Sequence, residues 1–502
     1  MRRTAEEGPE ETQGSAPSHD EEGPDPARWR ILGVTLTVGF MVLLDVTIVN
    51  VAIPSMRVGL DTSAGSIQWV VSGYALAFGL TLVTGGRLGD AHGRRRMMLL
   101  GLTGFIASSA AAGLAPTIGV LVAARLVQGF AAGLLTPQSS GLIQTLFKGP
   151  ERGTAFGLFG LTVSVSSAIG PVLGGAIIAL LGADDGWRWI FLVNVPIGLA
   201  LLVAIRAMVP GRDPDGGGDT RLDLVGALLL GLTVLCVLFP VVKVESGSRL
   251  PLLLLAAVPL LAVAFVQWER RVVRREGAPL LDIGLLRRVP GYASGIVVGT
   301  LYFTGFTGIF LVLSIYLQDG VGRSALSAGL LLVPFAAGSA VASPLAGRLV
   351  TRIGRRVTVG ALLVMMSGVL STALLAPPAG DGQWLWLALG VPLLVAGLGG
   401  GAVVSPNFTL TLAEVPTRMG GAAGGAVQTG QRIGASIGAA VVMTAYQVAL
   451  SAYDDPGPAL RWALGISLVV LVGAFAAAVW SWRPDPESSV TVEHHQHRPH
   501  ES

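Results

Sequence analysis

Fourteen apolar runs succeed one another in this 502-residue chain, near 31–54, 67–88, 97–115, 117–146, 154–182, 189–209, 223–242, 251–268, 291–318, 326–349, 358–376, 384–412, 421–447 and 460–482. About 20 such residues in helical conformation cross the hydrocarbon core of a bilayer. Lipid offers no partner to a bare N–H or C=O, so runs of this kind must be helices. The pattern predicts an all-α integral membrane protein of about 14 transmembrane helices. Composition agrees: 13% of the residues are charged, where soluble domains carry about 25%.

The runs are not independent. Gly86-Arg-Leu-Gly-Asp-Ala-His-Gly-Arg-Arg95 returns as Gly347-Arg-Leu-Val-Thr-Arg-Ile-Gly-Arg-Arg356, with six of ten positions identical and an apolar run on either side of each copy. A repeat across half the chain, at equivalent places between spans, predicts two pseudo-symmetric six-helix bundles plus two inserted helices. Parallel-related bundles meeting at a midplane cavity are a common plan of secondary transporters. Residues 1–30 read as a disordered tail, 31–209 as the first bundle, and 210–290 as a linker, two extra spans and a basic loop. Residues 291–482 read as the second bundle and 483–502 as a second tail.

Lys and Arg placement orients the spans. With both termini cytoplasmic, the inner segments collect Arg28, Arg30, Arg94 to Arg96, Lys148, Arg152, Arg206, Arg212, Arg221, the arginines between 270 and 288, Arg352, Arg355, Arg356 and Arg418. The outer segments hold only Arg57, Arg188, Lys243, Arg249, Arg323 and Arg461. No basic segment leads into a short apolar stretch, so no cleavable signal peptide is expected.

Absences bound the chemistry. The one cysteine, Cys236, lies in an apolar run, and no histidine does; four of the six histidines cluster at 494–500. No metal site is expected from this. Gly-rich stretches such as Gly397 to Gly401 lack the Lys-Ser/Thr of a phosphate loop, which argues against a nucleotide-driven pump. Without a cluster of His, Asp or Glu near the spans, a membrane enzyme is not expected.

Four blocks carry a family resemblance: Leu44-Asp-Val-Thr-Ile-Val-Asn-Val-Ala-Ile-Pro54, the Gly86–Arg96 loop motif, Arg125-Leu-Val-Gln-Gly129, and Gly170-Pro-Val-Leu-Gly-Gly175. Trp187-Arg-Trp-Ile-Phe-Leu-Val-Asn-Val-Pro-Ile-Gly198 and Pro279-Leu-Leu-Asp-Ile283 add to it. Together they resemble the drug:proton antiporters of the major facilitator superfamily, in the fourteen-helix branch. The resemblance implies a multidrug efflux transporter of the cell (inner) membrane, working as a monomer by alternating access. It implies the proton gradient as energy source, no cofactor and no nucleic-acid partner. An exporter of an endogenous metabolite, lipid or siderophore-like product on the same fold is the alternative. The departure is at Thr351, which stands in the second copy at the place of Asp90.

The residues carry their own reading. Asp45 is the one carboxylate well inside a span, nine residues before Pro54, hence roughly 13 Å deep. Arg125 is eight residues in from Thr117 on an oppositely directed span, roughly 12 Å deep from the same side. Opposite charges at matching depth predict a pair. Such a carboxylate, balanced between desolvation and a cation, suits proton coupling, and the alternative is a static bond between two helices. Gln128 lies one turn deeper than Arg125. Arg432, roughly 18 Å into its span and flanked by Gln428 and Gln431, must face a cavity or a partner. Asn50, Gln128, Gln428, Gln431 and Arg432 are assigned to the substrate cavity. Gly86, Asp90, Arg94 and Arg95, in a loop to which the resemblance gives a locking role, are assigned to gating. So are Gly170, Pro171 and Gly174, which are expected to kink their helix and allow close approach.

Overall fold

The computed structural model describes residues 26–182, 184–211, 223–245, 250–275, 277–379, 382 and 384–481, and among them there is no strand. The first bundle comprises α1 (Arg28–Gly59), α2 (Ala64–His92), α3 (Arg94–Gly113), α4 (Ile118–Leu146), α5 (Gly149–Leu181), α6 (Gly186–Leu192) and α7 (Asn194–Met208). An inserted hairpin follows, α8 (Leu224–Glu245) and α9 (Val258–Arg274), then the one-turn helix α10 (Leu285–Arg288). The second bundle comprises α11 (Tyr292–Ile315), α12 (Ala325–Ile353), α13 (Arg356–Ala379), α14 (Trp384–Thr411), α15 (Gly420–Tyr453) and α16 (Pro456–Trp480).

Thirteen helical segments among the described residues are long and apolar enough to cross a membrane, with α6 and α7 together making one. The apolar described part of α8, Leu224–Pro240, is shorter than a full span. The expected fourteen is therefore met to within that one helix. The N-terminal tail up to residue 25, most of the 210–222 linker and the histidine cluster at 494–500 lie outside the described residues.

Helix starts follow local chemistry. Ser63, Thr117 and Ser324 accept from the backbone N–H three residues on and so cap α2, α4 and α12, satisfying a donor that has no partner within the helix.

The repeated decapeptide corrects one expectation, because Asp90 is not in a loop. Residues 86–92 are the last turns of α2, Gly93 (φ +96°) alone breaks the helix, and Arg94 already begins α3. The second copy behaves alike: 347–353 end α12 and Gly354 has φ +58°. A positive φ at each break is the reason glycine recurs there. We call the side of the molecule carrying these two turns the basic face.

The bundles touch along two seams, α2 against α15 and α5 against α12. Both are glycine seams. A Cβ on Gly86 would run into the carbonyl of Gly421, and one on Gly153 into that of Gly347. Only glycine lets the backbones come this close.

Hydrogen bonds close the basic end of the α2–α15 seam. The fully buried Asp90 carboxylate accepts from Gly421 N (3.0 Å), Ala422 N (2.9 Å) and Arg94 Nη2 (3.1 Å). Those two amides belong to the first turn of α15, where N–H groups lack intrahelical partners and the helix dipole is positive. Arg94 also donates to Gly141 O (2.6 Å), to Thr417 O (2.9 Å) and to the Thr145 hydroxyl. Gln144 donates to Leu412 O (2.8 Å) and Arg152 to Ala413 O (3.0 Å). In each of these bonds across the seam, the first bundle supplies a side chain and the second a main-chain atom.

Toward the other face the bundles part. The deepest cross-bundle hydrogen bond or ring contact between described residues is Ser164–Ser339 (2.6 Å) on one seam and Arg432 over Phe78 (4.4 Å) on the other. The polar and ring contacts between the bundles are thus confined to the half of each seam nearer the basic face.

Thr351 cannot repeat the Asp90 cap. Its partner Gly153 is the fifth residue of α5, whereas Gly421 is the second of α15. The free amides of a helix are its first four, so the extra turn of α5 has moved them out of reach.

The hairpin sits beside the α2–α15 seam, with α8 packed on both helices. Leu280 and Leu281, from the motif before α10, are buried with Val83 of α2, Phe265 of α9 and Ala426 of α15. Glu269, fully buried, accepts from Leu281 N (3.3 Å) and holds that stretch in place.

Removing the charge from Asp90 should weaken basic-face closure by about 1–2 kcal/mol. With Cys236→Ala as background and spin labels at Arg96 and Arg418, Asp90→Asn is expected to enrich long label separations roughly tenfold over the parent. A distance distribution identical to the parent's would refute the cap. Thr351→Asp, lacking free amides to accept from, is expected to leave the distribution unchanged.

Candidate functional site: a caged carboxylate and a lone cation

Asp45 lies on α1, fully enclosed within the first bundle. Arg125 Nη1 donates to its Oδ2 at 2.5 Å, as the matched depths on α1 and α4 predicted. Its Oδ1 accepts from Gln128 Nε2 and Asn194 Nδ2, both at 3.0 Å. The cage continues outward. Arg125 donates to Val70 O (3.0 Å) and to Gln128 Oε1 (2.7 Å), and Gln128 reaches Ser109 Oγ (2.8 Å). The guanidinium lies 4.1 Å from the Tyr74 ring centroid and 5.5 Å from that of Phe191. Side chains of α4 and α7 thus hold the carboxylate of α1, and residues of α2, α3 and α6 surround the two α4 side chains that do so. Both carboxylate oxygens are satisfied, as a buried charge requires.

A neutral Asp45 loses the charge-assisted part of its bond to Arg125, which is the strong part. Arg125 would keep Val70 O and Gln128 as partners, so α2 and α4 stay tied while α1 is loosened.

The second deep charge is treated differently. Arg432, on α15, is half-buried and stacks on Phe78 at 4.4 Å, and no hydrogen bond or ion pair joins it to any described residue. A cation–π contact at a partly exposed site returns about 1 kcal/mol, and no counter-charge adds to it. Two more polar groups nearby are buried and unpartnered, Gln428 Nε2 and Tyr74 Oη. Tyr74 stands between the two arginines, edge to face with Phe78 at 5.8 Å and within electrostatic reach of both Arg125 and Arg432.

The structure brings Asp45, Arg125 and Gln128 together, and on α15 it sets Gln428 and Arg432 one turn apart. Gln431 approaches Gly299 instead, beside Asn407. Asn50 is exposed on α1, a turn and more from the Asp45 cage, and joins neither group. Asp90 and Arg94 lie at the basic-face seam, with Gly86 against Gly421, whereas Arg95 donates to Arg206 O (2.5 Å) inside the first bundle. Gly170 and Gly174 face Thr47 and Ile48 of α1, so they close an α1–α5 contact within one bundle rather than a seam between two. The helix runs on through Pro171.

Three cage members escaped sequence reasoning. Asn194 had a signal, since it lies in a quoted family block, but nothing in the chain said what it faced. Ser109 had none, being a small hydroxyl in an apolar run. Tyr74 had none either, being an aromatic in an apolar run. Among the described residues no group of three or more His, Cys, Asp or Glu could hold a metal ion.

Comparison with known proteins bears on this geometry. The chain is 39% identical over 439 residues to the puromycin resistance protein of Streptomyces alboniger, which covers 86% of this chain and 84% of that one. It is 37% identical over 441 residues to the probable actinorhodin transporter of Streptomyces coelicolor, covering 86% and 75%. Among solved structures, the human organic anion transporter MFSD10 superimposes with a TM-score of 0.66 over 90% of this chain and all of that one; at 17% identity this likeness bears on the fold alone. A family model described as Major Facilitator Superfamily matches residues 35–439. With its two bundles, its glycine seams and these relatives, the chain is a member of the Major Facilitator Superfamily.

Proposed function

We propose that this protein exports small hydrophobic organic compounds of the antibiotic type across the cell membrane in exchange for protons. It acts as a monomer, moves its substrate unchanged rather than catalysing a reaction, and needs no cofactor beyond the proton gradient. The observation that carries the reading is the Asp45 cage: a mid-span carboxylate held by side chains of α4 and α7, whose partners Arg125 and Gln128 in turn touch α2, α3 and α6, so that its protonation state bears on a whole bundle. Relatives that carry resistance and transporter names support the direction and the type of cargo.

In this reading the basic face is cytoplasmic, in keeping with the excess of Arg there, and both termini are inside. The cleft between the bundles then faces outward and the Asp90 cap shuts the cytoplasmic side. A proton arriving from outside neutralises Asp45 and loosens α1. The bundles rock, the seam at Asp90 opens, and the cleft takes cargo from the cytoplasm or the inner leaflet. Release of the proton inward restores the pair with Arg125, and the loaded protein turns outward again. Chemical selectivity resides in the cleft, while the energy coupling resides inside one bundle.

Purified protein in liposomes with an imposed pH gradient tests this. Proton-driven movement of hydrophobic compounds is expected for the wild type. Asp45→Asn should reduce it to the level of empty liposomes while the protein still inserts; wild-type-like coupled transport by that variant would sink the assignment. Arg125→Lys keeps one charge but loses the forked donor set that serves Asp45, Val70 and Gln128 together. Its pH profile of transport should shift relative to the wild type, and an unmoved profile would show that the pair only holds helices together. Asn194→Leu, which removes one donor to Oδ1, is expected to move the profile in the same sense as Arg125→Lys by a smaller amount.

A further inference from the structure

The export reading leaves open what the cleft recognises, and Arg432 answers part of that question. Its guanidinium lies deep in the second bundle, at the level where the two bundles begin to part, and is only partly covered. No carboxylate among the described residues reaches it. Asp45, the one acid at mid-membrane depth, is fully engaged by Arg125, Gln128 and Asn194. Gln428, one helical turn away on the same face of α15, keeps its Nε2 buried and without an acceptor. Tyr74 Oη is buried and idle in the same way. Gln428 and Arg432 thus share one face of α15, Tyr74 lies within electrostatic reach of Arg432, and buried donors such as Gln428 Nε2 and Tyr74 Oη are rarely left without an acceptor.

We propose that Arg432, with Gln428 and Tyr74, forms an anion subsite of the transport cleft, and that the exported compounds include aromatic organic acids bound as monoanions. A carboxylate or acidic phenolate matches the guanidinium fork. It also gives the idle N–H and O–H groups an acceptor. An aromatic body suits the surroundings, since Phe78 already stacks under Arg432. A doubly cationic compound would meet a cation here and no free acid.

This inference rests on the proposed export function, and its test separates the two. Wild-type protein in nanodiscs of zwitterionic lipid, with empty nanodiscs as baseline, is titrated with 1-naphthoate, 1-naphthamide and 1-naphthylmethylammonium, which share one ring system and differ in charge. Naphthoate is expected to bind at least tenfold more tightly than the amide, and the ammonium compound most weakly. Arg432→Gln should bring the naphthoate-to-naphthamide ratio close to one. Arg432→Lys should leave a ratio between the two, and Gln428→Leu should lower it several-fold, so the test survives if Arg432→Gln fails to fold. A wild-type ratio near one, or a ratio untouched by all three substitutions, overturns the anion subsite. If pH-driven export of neutral compounds persists in liposomes while the ratio is flat, only the subsite falls. If the ratio behaves as expected while no compound moves with the pH gradient, the subsite stands and the antiport reading falls.

Discussion

A charge placed in the middle of a membrane must bring its counter-charge with it, and the bond between Asp45 and Arg125 is where this chain meets that requirement. Neither residue is tolerable alone at that depth. Together, at 2.5 Å and with Gln128 and Asn194 on the remaining oxygen, they are fully satisfied. The bond also fixes how helices of the first bundle sit around one another, since α1, α4 and α7 must each present one side chain to one point. Tyr74 and Phe191 then pack on the guanidinium, so the aromatic content of this bundle is organised around the same pair. The second bundle has no counterpart. Its interior is held by glycine contacts, apolar side chains and neutral hydrogen bonds such as Asn407 to Gly295 O and Tyr302 to Gly400 O, and its one deep cation has no counter-charge among the described residues.

Much of this was legible in the chain. Spans follow from run length, and the Asp45–Arg125 contact follows from two depths counted along oppositely directed helices. The repeat announced two bundles. Other features were hidden for identifiable reasons. Gly86 to His92 read as a loop because glycine, arginine and aspartate are loop residues by habit. In the structure they remain helical, because only a helical register aims Asp90 at the first turn of α15. Gly170 and Gly174 read as parts of a gate, and their neighbours turned out to be Thr47 and Ile48 of the same bundle. Spacing says which residues share a face but not which neighbour that face meets. Asn194 and Ser109 were invisible for the complementary reason: a single polar residue in an apolar run acquires meaning only from what lies opposite.

The inserted hairpin is the largest departure from a two-bundle plan, and its position is informative. It adds no residue to the Asp45 cage. Instead α8 lies against both α2 and α15, and the stretch at Leu280 and Leu281 wedges beside Val83 and Ala426. Glu269 and Asp223 tie that wedge internally, the latter by accepting from Gly226 N (2.8 Å) and Trp268 Nε1. A helix pair touching both sides of a moving seam must slide on at least one of them. The hydrogen bonds at Glu269 and Asp223 lie within the hairpin itself, while Leu280, Leu281 and Phe265 meet α2 and α15 through apolar contacts.

One asymmetry of the seam reaches beyond mechanics. Where the basic ends of α2 to α5 meet the stretch from the end of α14 to the start of α15, Asp90, Arg94, Gln144 and Arg152 supply side chains, while Gly421, Ala422, Thr417, Leu412 and Ala413 supply only backbone. Along this seam one half keeps the lock in its side chains, where a point mutation can break it, and the other keeps the keyhole in its main chain, where substitution is harmless so long as residues stay small. On the other seam the roles reverse, since Ser343 of α12 donates to Gly157 O of α5 at 3.1 Å. The second copy of the decapeptide, with Thr351 beside Gly153 rather than a first-turn amide, has no keyhole for an acid to enter.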